Sequence, residues 1–277
     1  MNGPARLNGD RNAIVRSAFR AGLGQRKLGG IVGPDGQELN AGNPYRVAVV
    51  LVSQGAMVHA DFALSFASLC FNPGALIALV GHKVEPGLGN LSMGYNNAIE
   101  AARPLNVDYY FFVSPDIVLP QFALRQLLSR QRDVVGAAYM RASAEQGLIV
   151  APLDDQPIQE GEPVAEVRAI PPGCMLVKAS VLGALKRPYF RAGVVEEDIE
   201  YGVMPAIVPE WIGFCDQARA IGLKVYMDVE LSTHTARAGE AIFRLPTPPP
   251  EPPVSGPIIP SAATSPAETE AHERASA

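Results

Sequence analysis

The chain has 277 residues, of which 48% are apolar, and this is enough to bury one core of catalytic-domain size. A formal net charge of −5 and the absence of a Lys/Arg run argue against nucleic acid or an anionic membrane surface as the main partner. The cysteines are odd in number and widely spaced, which supports neither a disulfide framework nor a zinc knuckle.

The expected location is the cytoplasm. No stretch reaches the roughly 20 apolar residues of a membrane span, and residues 1–30 lack the apolar block of a signal peptide. The acidic net charge, with no basic run, favours a small molecule as the partner.

Composition divides the chain into three regions. Residues 1–43 are rich in Gly, Asn and Arg, and we interpret them as an arm of uncertain order, with a helix over 13–23 as an open option. Residues 245–277 are proline-rich with a polar end, which favours a disordered tail over a docking motif, because prolines lack backbone donors and the polar end has nothing to bury. The domain is expected over 44–244.

Within 44–244, short β-branched runs alternate with amphipathic stretches. This pattern is typical of an α/β fold, with a mostly parallel sheet flanked by helices. In the first half of the domain we predict a strand over 45–53 ending near Gly55, a helix over 57–70, a strand over 75–80 and a helix over 91–102. An aromatic strand is predicted after Asp108, and Pro120 is expected to start the next helix. The second half is predicted to contain a strand over 133–139, a hairpin of 148–153 with 166–170, a turn, strand and helix over 171–185, a helix from Glu210 and a strand over 224–229.

Asp116 follows the aromatic strand at its carboxyl end. Ligands of open α/β sheets bind at that edge, and a carboxylate there suits a divalent cation bridging a diphosphate. A helix N-cap or a turn is an equally good explanation of an aspartate at this position. Both interpretations stay open on the residues alone.

The segment Pro171-Pro172-Gly173-Cys174-Met175-Leu176 predicts a tight turn feeding a buried strand. Gly173 there either lets the backbone approach a ligand closely or satisfies an unusual φ angle. The sequence does not decide between the two.

Five short motifs, in this order along about residues 45–240, resemble those of GT-A glycosyltransferases, in particular a family-two-like group of bacterial and phage-encoded proteins. The motifs are Gly55-Ala56-Met57-Val58, Ser114-Pro115-Asp116, Pro171-Pro172-Gly173-Cys174-Met175-Leu176, Glu210-Trp211-Ile212-Gly213-Phe214-Cys215 and His234. Three positions depart from the family pattern. Ser114 stands for the first aspartate of D-x-D, Val52-Ser53-Gln54 for P-T-Y, and Trp211 for the aspartate of E-D.

The resemblance implies a GT-A type fold and a metal-assisted transfer from a nucleoside diphosphate sugar to a glycan, protein or lipid-linked acceptor. It implies that Asp116 and His234 hold Mn²⁺ or Mg²⁺, and that Glu210 is the catalytic base, which means inversion at the anomeric carbon. A surface histidine and a glutamate stabilising a helix N-terminus are the simpler explanations of those two residues. The donor-binding residues implied by the resemblance are Ser53, Gln54, Ser114, Asp116, Gly173 and Met175.

Two other classes of function stay open. The departures from the family pattern at positions 52–54, 114 and 211 are also expected of a non-catalytic nucleotide-sugar- or glycan-binding module that kept the fold. A nucleotidyltransferase would need a Gly-rich phosphate loop with a nearby Lys or Arg after the first strand, and Gly55 lacks that context. The acidic run formed by Glu196, Glu197, Asp198 and Glu200 is interpreted either as a loop covering the site or as a solvated face.

Overall fold

The computed structural model describes residues 13–16, 36, 44–55, 57–87, 89–140, 147–153, 162–199 and 202–238. For residues 13–16, 196–199 and 202–204 it describes the backbone alone. The predicted tail, residues 245–277, and most of the predicted arm lie outside these ranges.

The elements alternate between strands and helices along the chain, as the sequence predicts. They are β1 (Ala13–Arg16), β2 (Arg46–Gln54), α1 (Ala60–Phe71), β3 (Leu76–Val84), α2 (Asn90–Ala102), a 3-10 helix (Arg103–Leu105), β4 (Tyr109–Val113), β5 (Ile117–Val118), α3 (Ala123–Ser129), β6 (Val134–Gly136), β7 (Tyr139–Met140), β8 (Leu148–Ile149), β9 (Ala151–Pro152), β10 (Val164–Ala169), β11 (Cys174–Lys178), α4 (Ala179–Ala184), β12 (Gly193–Ile199), β13 (Gly202–Val208), α5 (Glu210–Ala220), β14 (Val225–Asp228), α6 (Val229–His234) and β15 (Ala236–Arg237).

The central sheet has the strand order β1-β3-β2-β4-β11-β6-β14-β10-β9. Strands β2, β3, β4, β6, β9 and β14 run in one direction, while β1, β10 and β11 run in the other. The expectation of a mixed α/β fold with a mostly parallel sheet and flanking helices is confirmed. The reversed strand β11 lies in the middle of the sheet, between β4 and β6.

Two layers of apolar side chains cover the two faces of the sheet. On β2, Ala48, Val50 and Val52 pack into a cluster that includes residues of α2, α4 and α5. The intervening Val47 and Val49 pack into a cluster that includes residues of α1 and α3. Because β2 is buried on both faces, its sequence is an almost continuous apolar run over residues 47–52, and this pattern predicts the strand.

Three local expectations are corrected. Residues 13–16 form a strand antiparallel to β3, not part of a helix, because the β-branched pair Ile14-Val15 adds to the edge of the sheet. The acidic run falls on β12, which pairs with β13 in a hairpin, so that its described part, residues 196–199, is a strand and not a loop. Helix α3 begins at Ala123, not at Pro120, because residues 120–123 form a turn ahead of it, closed by a hydrogen bond from Ala123 N to Pro120 O.

No helix in the described ranges has the length and apolar character needed to cross a membrane.

Candidate functional site

A cavity of about 210 Å³ opens at the carboxyl edge of the sheet. From β2 the chain moves to β3 on one side and then to β4 on the other, and ligands of open α/β sheets bind at such a reversal of strand order. The apolar lining consists of Leu91, Ile149, Pro171, Pro172 and Trp211. The polar lining consists of Tyr95, Ser114, Asp116, Tyr139, Glu210 and Arg237.

Asp116 lies just beyond β4, and both of its carboxylate oxygens are engaged. Ser114 Oγ donates to Asp116 Oδ1 at 2.7 Å, and Arg237 Nε donates to Asp116 Oδ2 at 2.8 Å. The backbone is tied in the same place, because Ala238 N donates to Asp116 O at 2.7 Å. The aspartate is therefore held in one orientation by groups from both sides.

Glu210 is the first residue of α5, directly after Pro209. Burial raises the pKa of its carboxyl group, since the charged form loses hydration there. Tyr95 and Tyr139 share the cavity, and burial raises the pKa of both phenols; the negative charge of Asp116 adds to the shift in each. The phenols therefore stay protonated at neutral pH, and Glu210 is a stronger base than an exposed glutamate.

Gly173 lies beside the cavity, and it provides space for the Tyr139 ring. A Cβ atom at position 173 would collide with the hydroxyl and ring of Tyr139. Its φ angle is not in the left-handed region, so the turn does not require glycine for its backbone conformation. The close approach that the sequence indicated is made by a side chain of the protein itself.

Four other predicted residues lie away from the cavity lining. Ser53 Oγ donates to Gly55 O at 3.2 Å, and Gln54 is exposed at the end of β2. Met175 is fully buried on β11, within the core cluster on the α2 side of the sheet. His234 is the last residue of α6, and its exposed ring packs edge-on against Phe122, with 5.5 Å between the ring centroids.

The structure thus brings Ser114, Asp116 and Glu210 together from two separate motifs. Sequence reasoning missed Arg237, which lies three residues after His234. Tyr95 lay within the predicted helix over 91–102 and Tyr139 at the end of the predicted strand over 133–139, and neither was a candidate site residue. No sequence signal connects Arg237 with Asp116, because 121 positions separate them.

The two predicted metal ligands both contact other groups of the protein. The oxygens of Asp116 accept hydrogen bonds from Ser114 and Arg237, and the His234 ring contacts Phe122. Within the described ranges, no three or more His, Cys, Asp or Glu side chains cluster as a metal site requires. The metal role of Asp116 and His234 stays a prediction from the sequence.

No family model matches this chain, and no curated protein matches it in sequence. Among solved structures, the chain is similar to the crystal structure of A197 from STIV, with 14% sequence identity and a TM-score of 0.47. The match covers 73% of this chain and 95% of that chain. A similarity of this size assigns neither a fold family nor a function, so functional inference depends on the cavity.

Proposed function

We propose that the protein is an inverting glycosyltransferase with a GT-A type fold, which moves a sugar from a nucleoside diphosphate sugar to an acceptor hydroxyl. One observation carries the proposal. Residues from two separate glycosyltransferase-like motifs, Ser114 and Asp116 from one and Glu210 from the other, line a single cavity at the carboxyl edge of the sheet. The acceptor is a glycan, a protein or a lipid-linked sugar, and the reaction takes place in the cytoplasm.

Glu210 is the catalytic base of the proposed reaction. Its carboxylate takes the proton of the acceptor hydroxyl as the hydroxyl oxygen attacks the anomeric carbon. The bond between that carbon and the diphosphate oxygen breaks, and the nucleoside diphosphate leaves with the bonding electron pair. The raised pKa of Glu210 supports this role, because a base is most effective when its pKa approaches the working pH.

The size of the cavity indicates which part of the donor it holds. Its volume of about 210 Å³ is below the roughly 300–1,000 Å³ of pockets that enclose a whole drug-sized ligand. The sugar and the diphosphate would occupy the cavity, and the nucleoside would lie along the open edge near Ser53 and Gln54. Trp211 provides an apolar surface on which a sugar ring can stack.

A second candidate is a non-catalytic nucleotide-sugar- or glycan-binding module. The observation that favours it is the pairing of Asp116 with Ser114 and Arg237, which gives the carboxylate a structural role that needs no metal. The two candidates differ in whether the sugar bond of the donor is cleaved.

Release of nucleoside diphosphate distinguishes them. The purified chain is incubated with UDP-, GDP-, dTDP- and CDP-sugars and a mixture of mono- and disaccharide acceptors, with EDTA or with Mn²⁺. The wild type is expected to cleave one donor, and Glu210→Gln is expected to lower the rate on the order of 100-fold or more, as loss of a general base does. The matched control is Glu85→Gln, an exposed glutamate outside the cavity lining, which is expected to keep the wild-type rate.

Binding of a donor without cleavage, in wild type and variants alike, would establish the module instead. A rate unchanged by Glu210→Gln would remove Glu210 from the mechanism.

A further inference from the structure

The backbone at Arg237 pairs with another strand, and this pairing places the arginine at the cavity. Strand β15 pairs antiparallel with β5, which places Arg237 opposite Ile117, the residue that follows Asp116. The side chain is 29% exposed and lines the cavity. This position is fixed by a ladder and an ion pair, unlike that of a flexible surface arginine.

Within the described ranges, the guanidinium group is held through one nitrogen. Arg237 Nε donates to Asp116 Oδ2 at 2.8 Å, and among the described residues Nη1 and Nη2 make no hydrogen bond. The terminal amino groups of a guanidinium form a planar fork that matches two oxygens of a phosphate. Asp116 thus holds the Nε end of the guanidinium group and leaves Nη1 and Nη2 for a ligand.

Arg237 is the one cation among the described residues lining the cavity. Asp116 and Glu210 are the acidic groups there, and the two phenols stay protonated. An anionic donor therefore has a single direct partner of opposite charge in this cavity. Without it, the diphosphate would face two carboxylates.

Ser114 fits this arrangement better than an aspartate would. Its hydroxyl donates a hydrogen bond to Asp116 Oδ1 at 2.7 Å, whereas a carboxylate at position 114 would repel Asp116. The departure from D-x-D at this position therefore stabilises the aspartate that orients Arg237. Ser114 and Asp116 resemble a D-x-D metal motif that lacks its first aspartate. In this structure Ser114 holds Asp116, and Asp116 holds Arg237.

We propose that Arg237 binds the diphosphate of the donor directly and takes the place of a divalent cation, with Asp116 and Ser114 as positioning residues. The inference rests on the proposed function, and it identifies Arg237 as the group that recognises the departing nucleoside diphosphate. The guanidinium would also stabilise the charge that builds on the diphosphate as the sugar bond breaks.

Isothermal titration calorimetry tests the role of Arg237. Each nucleoside diphosphate, its monophosphate and the free nucleoside are titrated in EDTA and in Mn²⁺. The wild type is expected to bind one nucleoside diphosphate in EDTA, with less than about a threefold change on adding Mn²⁺. Arg237→Gln is expected to weaken diphosphate binding on the order of 10- to 100-fold and to leave nucleoside binding unchanged. Arg237→Lys keeps the charge without the fork, and its affinity is expected to lie between the two.

The matched control is Arg168→Gln, which removes another arginine that pairs with an aspartate, Asp216, outside the cavity lining. It is expected to bind like the wild type. Thermal unfolding of each variant verifies folding, and if Arg237→Gln does not fold, Arg237→Lys provides the test.

Binding that requires Mn²⁺, is lost in Asp116→Asn and survives in Arg237→Gln would overturn the arginine role while supporting the glycosyltransferase. Absence of any nucleotide binding by the wild type would instead overturn the proposed function on which the inference rests.

Discussion

Burial sets the chemistry of single residues in the cavity. Glu210 loses hydration at the start of α5, and the pKa of its carboxyl group rises as a result. Tyr139 fits against the turn because position 173 has no side chain. Asp116 remains paired because Ser114 and Arg237 supply donors to both of its oxygens. Apart from the local contact of Ser114 with Asp116, these properties depend on neighbours that are distant along the chain.

The raised pKa of Glu210 predicts a pH-dependent stability difference. A carboxyl group whose pKa is raised by folding contributes most stability below its unfolded pKa, near 4.5, and loses that contribution as the pH rises through its folded pKa. Glu210→Gln is neutral at every pH, so we expect it to unfold at a higher temperature than the wild type at about pH 7. The difference should shrink towards about pH 4, and thermal unfolding across this range measures it.

The groups facing Glu210 across the cavity are the phenols of Tyr95 and Tyr139 and the Asp116–Arg237 pair. The two phenols are not expected to change their charge between about pH 5 and pH 8, since burial raises the pKa of both. A Glu210→Gln variant less stable than the wild type at about pH 7 would show that the carboxylate mainly stabilises the N-terminus of α5.

At the scale of elements, a buried aspartate connects the helix that leads to Arg237 with the rest of the fold. Asp228 ends β14 and is fully buried. It caps α6 by accepting from Leu231 N at 2.9 Å, and it accepts from Gln126 Nε2 at 3.0 Å and from Arg130 Nε at 2.7 Å. These hydrogen bonds link α3 to α6. Strand β15, which carries Arg237, follows α6 directly along the chain. The position of the cavity arginine depends on this network.

Asp228→Ala removes the cap and leaves Arg130 without its buried partner. We expect a loss of about 3–5 kcal/mol in the free energy of unfolding, the usual cost of breaking a buried ion pair from one side. Urea denaturation measures it. Asp216→Ala is the control, because its pair with Arg168 is exposed, and it is expected to cost less than about 1 kcal/mol. Equal effects of the two variants would contradict the structural role of Asp228.

The sequence was informative about elements whose burial imposes a local pattern. Strands β2 and β4 are continuous apolar runs, and α2 buries Tyr95, Ala98 and Ile99 at helical spacing. The β12–β13 hairpin and the reversal of β11 were not predicted, because direction and pairing depend on contacts between segments far apart in sequence. The Asp116–Arg237 pair was missed for the same reason. Asp116 was singled out by its position at the end of an aromatic strand, and Glu210 by the resemblance, which brings distant positions together without any geometry.

At the scale of the whole molecule, the sheet is covered on both faces by apolar clusters, and its carboxyl edge remains for polar groups. The reversal of strand order around β2 opens that edge between neighbouring loops. The loops carrying Asp116 and Glu210 can therefore vary in chemistry without disturbing the core. This separation is consistent with the proposal that Arg237, supported by Ser114 and Asp116, takes the place of a metal.

Thermal unfolding of the purified chain with each nucleoside diphosphate sugar, in EDTA and in Mn²⁺, tests the central claim most directly. A ligand at 100 times its Kd stabilises the native state by about 2.7 kcal/mol, which corresponds to a rise of several degrees for a domain of this size. We predict such a rise with one donor, present already in EDTA. The absence of a shift with every donor in both conditions would contradict the assignment of the cavity to nucleotide sugars.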